Sequence, residues 1–232
     1  MSKKYYRKTA TIVGALFIIA TVTAIVSGTL LGTALDDSDY LLKLSENENE
    51  VIMAAIFELI LAASLIGIGS LMFPILRKHV EGLALGYASI RLVEAIFIII
   101  ATICLLSMLS VSQGLVAGTI DAAASQPMNA LLMALREWAY LIGTLLFLGM
   151  GALTLNYLLY RSELVPRWLS VWGLIGAVGV LMYGLMGLYG ADTNLMDATT
   201  LMALPLAVQE MVFASWLIIK GFDTKAGASI MG

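Results

Sequence analysis

Residues 82–109 read GLALGYASIRLVEAIFIIIATICLLSML, with Arg91 and Glu94 as the only charges. At 1.5 Å per residue a helix over this stretch is about 42 Å long, more than the ~30 Å hydrocarbon core of a bilayer. The apolar residues do not alternate with polar ones, so a strand of a membrane barrel is excluded. The stretch is read as a transmembrane helix carrying a guanidinium and a carboxylate near its middle. Ionisable groups in hydrocarbon cost several kcal/mol unless paired, hydrated or neutralised, and they mark polar sites inside helix bundles.

Five further stretches have the same character. The spans are placed at about 9–32, 51–75, 82–109, 130–159, 166–189 and 197–219. The whole chain of 232 residues is 60% apolar and 12% charged, with mean hydropathy +0.94. Soluble domains carry about a quarter charged residues, so this is a membrane composition. The fold class is all-α: a polytopic six-transmembrane-helix bundle, expected as a single domain over 1–232. The N-terminal run from Thr9 to Leu31 exceeds the ~7–15 residues of a secretory core and is read as a retained first span. Cys104 is the only cysteine, which excludes an intrachain disulfide and a thiolate metal site.

Basic residues orient the bundle. With six spans, Lys3, Lys4, Arg7, Lys8, Arg77, Lys78, Arg161, Arg167, Lys220 and Lys225 share one side, and only Lys43 lies opposite. That asymmetry places both termini in the cytoplasm. The turns 76–81 and 161–165 are short, so the spans they join are antiparallel neighbours. On the other side, residues 36–50 are read as holding a short interfacial helix. Val111–Asn129, rich in Ala, Gly and Ser, is read as a mobile loop. Trp138, Trp168, Trp172 and Trp216 fall near span ends as interfacial anchors. Gly143, Gly149, Gly151, Gly173, Gly176, Gly184 and Gly187 are read as close helix-packing points. An inverted repeat of spans one to three onto four to six finds little support beyond the shared Glu94 and Glu210.

Six charges lie well inside the spans, away from their ends: Glu58, Arg91, Glu94, Arg136, Glu137 and Glu210. Counting residues from the span ends brings all six towards one layer between the midplane and the outer third. Helical spacing places Tyr87, Arg91 and Glu94 on one stripe and Arg136, Tyr140 and Thr144 on another, with Glu137 offset about 100°. Gln209 and Glu210 follow Pro205 by a turn. Arg stays charged, so Arg91 and Arg136 are the fixed cations, each paired to a carboxylate. Four Glu against two Arg leaves an excess of −2 for a proton, a cation or a ligand to neutralise. Candidate ligand-binding residues are therefore Glu58, Tyr87, Arg91, Glu94, Arg136, Glu137, Tyr140, Gln209 and Glu210. The competing reading makes the same charges interhelical ties that only fix packing.

No motif adds chemistry beyond this. His79 is the only histidine and lies in a basic turn, and no carboxylate spacing marks a metal site. Nucleotide loops and nucleophile elbows are missing, and no cofactor is expected. The basic residues follow a membrane surface, so lipid rather than nucleic acid is their expected partner. Catalytic residues are not assigned.

Six segments together resemble one prokaryotic family: Tyr6-Arg7-Lys8-Thr9-Ala10, Phe57-Glu58-Leu59-Ile60, Glu81 to Tyr87 leading to Arg91 and Glu94, Arg136-Glu137-Trp138-Ala139-Tyr140, Leu158 to Ser162 with Pro166 to Ser170, and Gln209-Glu210-Met211 leading to Lys220-Gly221-Phe222. The chain resembles, over about residues 5–222, the multi-pass membrane proteins catalogued as domain of unknown function 4386. The resemblance implies a prokaryotic plasma (inner) membrane protein with Glu58, Arg91, Glu94, Arg136 and Glu210 as its polar signature. It brings no activity, substrate or cofactor. Small-molecule or proton-linked transport, or binding of a lipid-like ligand, is the expected function. A structural or interaction role comes second and an intramembrane enzyme third; the oligomeric state is left open.

Overall fold

A computed structural model of the chain describes residues 3–35, 40–190 and 196–223, the side chains at 33, 34, 40 and 196–203 excepted. The elements are α1 (Lys3–Leu35), α2 (Tyr40–Glu46), α3 (Glu48–Leu76), α4 (Glu81–Val116), α5 (Ala122–Tyr140), a π-helical segment (Leu141–Phe147), α6 (Leu148–Ser162), α7 (Arg167–Leu188) and α8 (Met196–Ile219). No strand occurs among the described residues. Five helices are long and apolar enough to cross a membrane: α1, α3, α4, the continuous rod Ala122–Ser162 and α7. These mark a multi-pass membrane protein. In α8 the fully described part, Leu204–Ile219, is apolar but shorter than a span.

The helices form a ring. α1 packs on α3, α3 on α4, α4 on the α5–α6 rod, α6 on α7, α7 on α8, and α8 back on α1. The turns 77–80 and 163–166 are as short as their sequence predicts, and the helices they join are packed neighbours. We call the end with these turns basal and the other distal. At the basal end Arg7 donates from Nη1 to Ile219 O (3.1 Å) and from Nη2 to Ile218 O (2.8 Å). Its charge thus meets two of the carbonyls that α8 leaves open at its C-terminus. Gly221 follows with φ +77, a left-handed conformation, and an added Cβ there would come 3.2 Å from the Arg7 guanidinium.

Three apolar groups follow one another from base to top, and a fourth, Ala152, Ala177, Val180 and Leu206, joins α6, α7 and α8. The basal core includes Met72, Ile75, Leu158 and Leu217 around Phe17 and Phe213, whose rings meet edge to face at 5.5 Å. Trp172 and Trp216 pack against this core, while Trp138 and Trp168 are exposed as membrane anchors would be. Leu61, Leu65, Ala95 and Ile98 form a middle layer. The distal core joins Leu31, Val51, Leu105 and Met108 to Leu44 of α2, the expected short helix, which turns its buried leucine into the bundle.

The expected loop at Val111–Asn129 is corrected. α4 runs to Val116 and α5 starts at Ala122, leaving only residues 117–121 between them. Ala, Ser and Gln tolerate helix, and the Asp121 carboxylate accepts from Ala124 N (2.7 Å) as an N-cap. Pro127 sits five residues into α5, where it removes one hydrogen bond near an end. The glycine contacts are as close as anticipated. A Cβ on Gly143 would lie 2.7 Å from Phe97 Cβ, and one on Gly176 3.0 Å from the Leu206 backbone.

Candidate functional site

The intramembrane charges gather in two clusters rather than the single layer expected from residue counting. α4 carries one cluster at Arg91 and Glu94 and touches the other at Thr102, eight residues or about 12 Å further along. The count misled because α4 extends beyond residue 109 to Val116, which leaves Arg91 and Glu94 in its basal half.

The distal cluster is built on Glu58 of α3, which is fully buried. Arg136 of α5 donates from Nη2 to Glu58 Oε1 (2.5 Å) and from Nη1 to Oε2 (3.3 Å). Thr102 Oγ1 lies 2.7 Å from Oε2, Ser27 Oγ donates to Oε1 at 3.3 Å, and the Tyr140 hydroxyl donates to Oε1 in a short contact. Five contacts use up the roughly four lone-pair sites of a carboxylate. Arg136 Nη1 also donates to Ala101 O (2.7 Å), and its guanidinium lies 4.8 Å from the Tyr140 ring centroid. α1, α3, α4 and α5 thereby meet at one ion pair.

The basal cluster is built on Arg91, which is 2% exposed. Its Nη1 donates to Glu94 Oε2 (2.8 Å) and its Nε to the Tyr87 hydroxyl oxygen (3.2 Å), all three on the predicted stripe of α4. Glu210 Oε1 of α8 stands 3.6 Å from Nη2, near enough for ion pairing but too far for a good hydrogen bond. Phe17 and Tyr87 place their rings 5.5 and 5.8 Å from the guanidinium. Gln209, next to Glu210, faces elsewhere. It donates to Asn156 Oδ1 and to Leu169 O, both at 3.2 Å, and ties α8 to α6 and α7.

The charge excess now has addresses. Arg136 is matched by Glu58 and Arg91 by Glu94, so the two surplus carboxylates are Glu210 and Glu137. Glu210 keeps Arg91 within reach, and its side chain is 18% exposed. Glu137 is exposed, and its carboxylate makes no ion pair or hydrogen bond among the described residues.

Glu137 lines an open cavity of about 540 Å³ between α1 and α5. One wall is the α1 face that includes Ala24, Ser27, Gly28, Leu31 and Leu35, and the other the α5 face of Met133, Glu137 and Tyr140, continued by Thr144 of the π-helical segment. Glu58 and Arg136 form part of its lining. Both walls follow helical spacing, and Gly28 leaves room, since a Cβ there would meet nothing within 4 Å. The volume falls within the ~300–1,000 Å³ of small-molecule sites. Of the predicted site residues, Glu58, Arg136, Glu137 and Tyr140 share this cavity; Tyr87, Arg91, Glu94 and Glu210 form the basal cluster; Gln209 belongs to neither.

Residue reasoning missed Ser27 and Thr102, which complete the shell of Glu58. Hydroxyls are common in spans because they bond the carbonyl one turn back, as Thr102 does to Ile98 O (2.9 Å), so neither stood out. Asn156 was missed too, although an amide within an apolar run was a usable signal. Among the described residues no three His, Cys, Asp or Glu side chains come together as a metal site would require. No match appears among the curated proteins or the solved structures compared. A family model does match, over residues 12–221, nearly the length of the chain, and the protein belongs to the family described as Domain of unknown function (DUF4386).

Proposed function

We propose that this chain is a six-span protein of the prokaryotic plasma membrane, with both termini cytoplasmic, that binds a small lipid-soluble molecule between α1 and α5. The observation that carries the reading is the open cavity of about 540 Å³, lined by a buried ion pair and by the Glu137 carboxylate, which has no partner among the described residues. α8 supports the sixth span, because it fills the place between α7 and α1 in the ring. The ten basic residues on one side support the orientation. Leu131, six residues before Glu137, is 62% exposed, which suits a site about 9 Å inside the apolar boundary.

The test is native mass spectrometry of the protein taken from membranes in nanodiscs, with Gly28→Trp as the cavity-filling variant. A co-purifying molecule is expected on the unaltered protein and not on Gly28→Trp, at equal melting temperature. Identical spectra for the two proteins would remove the cavity as a ligand site. A fluorescent protein fused at the C-terminus should mature and glow in the cytoplasm; a dark fusion would overturn the orientation.

A second reading, proton-linked transport, is favoured by the basal cluster. Arg91, Glu94 and Glu210 together hold one more carboxylate than cation, a place to carry a proton. If Glu210→Gln leaves proton uptake by the reconstituted protein unchanged, that reading fails.

A further inference from the structure

We infer that the cavity between α1 and α5 takes an amphiphilic cation: an apolar body bearing a protonated amine, quaternary ammonium or phosphonium centre. The inference rests on the cavity being a ligand site and adds the ligand's charge.

Hydrogen-bond accounting sets the sign. Glu58 and Arg136 cancel, and both terminal nitrogens of Arg136 already donate to Glu58, with Ala101 O and Tyr140 as further partners. The hydroxyls spend their single protons internally: Ser27 and Tyr140 donate to Glu58, and Thr144 Oγ1 donates to Tyr140 O (2.6 Å). What these groups still present to a ligand is mainly hydroxyl lone pairs. An anion would find one donor without a partner among them, the Arg136 Nε–H, on a guanidinium already neutralised by Glu58. Glu137 then adds a carboxylate that no group among the described residues answers. The wall as a whole is rich in acceptors, and its lining carries one more carboxylate than cation.

Shape and depth narrow the class. Leu31, Leu35, Leu61 and Met133 supply apolar surface beside that charge, so the complementary molecule has a hydrocarbon body next to its cation. A small hydrated metal ion would need several oxygen ligands, and Glu137 offers one carboxylate. A cation with diffuse, weakly hydrated charge gives up less on entering the apolar depth of the site.

The experiment uses the full chain in an uncharged maltoside detergent, with two probes of similar shape: tetraphenylphosphonium and neutral triphenylphosphine oxide. Gly28→Cys in a Cys104→Ala background reports occupancy through the rate of maleimide modification. Tetraphenylphosphonium is expected to slow that modification at least tenfold more effectively than the oxide. Adding Glu137→Gln should weaken the phosphonium by at least tenfold and leave the oxide unchanged, while Glu137→Asp keeps most of the effect. If the oxide protects as well as the phosphonium, or Glu137→Gln changes nothing, the cationic assignment is overturned and the cavity survives as a neutral site. If the thiol of the Gly28→Cys variant reacts but neither probe slows it, the ligand-site reading falls with it. An unreactive thiol without probe overturns the open cavity itself. Should Glu137→Gln fail to purify, the phosphonium-to-oxide comparison on the charged site still decides the sign.

Discussion

Glu58 and Glu94 each neutralise an arginine, yet their loss should cost different amounts. Among the described residues Arg136 has Glu58 as its only carboxylate partner, fully buried, so Glu58→Gln strands a cation in a low-dielectric interior. Breaking such a pair from one side costs about 3–5 kcal/mol. Arg91 has Glu210 in reserve at 3.6 Å, and a small shift of that side chain can replace Glu94. Glu94→Gln should therefore destabilise clearly less than Glu58→Gln, and Glu94→Gln with Glu210→Gln should recover the full penalty. Unfolding in mixed micelles measures all three; equal losses for the two single variants would rule out the reserve. His79 makes a separate prediction in the basal turn. Burial, and then Lys78 beside it, lower its pKa below the ordinary 6.5. The unfolded chain then takes up the proton first, so stability is full above about pH 6.5 and declines as pH falls through the folded value. Comparing melts of the unaltered protein and His79→Gln from about pH 8 to about pH 5 should show a shallower acid decline in the variant. At this scale the sequence disclosed the charged residues and their helix-face companions, because spacing of three and four is local. It could not disclose Ser27 or Thr102 as partners of Glu58, since both lie on other helices and every span carries hydroxyls of the same kind.

The elements show why a glycine-rich pair of spans can hold polar groups. Gly173 of α7 lets Asn156 of α6 lie so close that an added Cβ would sit 2.2 Å from its Oδ1. Asn156 meanwhile donates to Ala152 O (2.8 Å) and accepts from Gln209, so it cannot swing away without leaving buried groups unpaired. Gly173→Ala should destabilise by about 1–3 kcal/mol through this overpacking. Asn156→Ala in the same background should relieve part of it, which a double-mutant cycle reads directly. The π-helical segment Leu141–Phe147 acts on the neighbouring register. It follows Tyr140 at the cavity and packs Gly143 against Phe97 of α4, so its wider turns sit between the Glu58 cluster and the packing face of α6. π-helical turns are rare and concentrate at functional sites. Nothing in the composition announces this one, because LIGTLLF would serve equally in an α-helix. The same blindness hid the extension of α4 and the early start of α5: Ala, Ser and Gln carry little preference, and the cap at Asp121 is a single residue.

For the whole molecule, the separation of the charges into two clusters has a thermodynamic consequence that a single layer would not share. Five long apolar helices and the family membership were legible from hydropathy and motif runs, since both are properties of contiguous residues. Which charge meets which was not, because pairing depends on helix lengths that hydropathy sets only to within a few residues. Between Glu58 and Arg91 lies the middle apolar layer of Leu61, Leu65, Ala95 and Ile98, and no hydrogen bond among those described joins one cluster to the other. Sites more than about 7–10 Å apart without shared partners add within ~0.3–0.5 kcal/mol. Glu58→Gln and Glu94→Gln should accordingly be additive in unfolding free energy, whereas Glu58→Gln and Arg136→Met should be strongly non-additive, each having already destroyed the same pair. The contrast is internal, so it does not depend on how unfolding in micelles is referenced. Coupling above about 1 kcal/mol between Glu58→Gln and Glu94→Gln would mean that the middle layer transmits charge or strain. The cavity and the basal cluster would then have to be treated as one site, with Glu210 able to respond to whatever occupies the space beside Glu137.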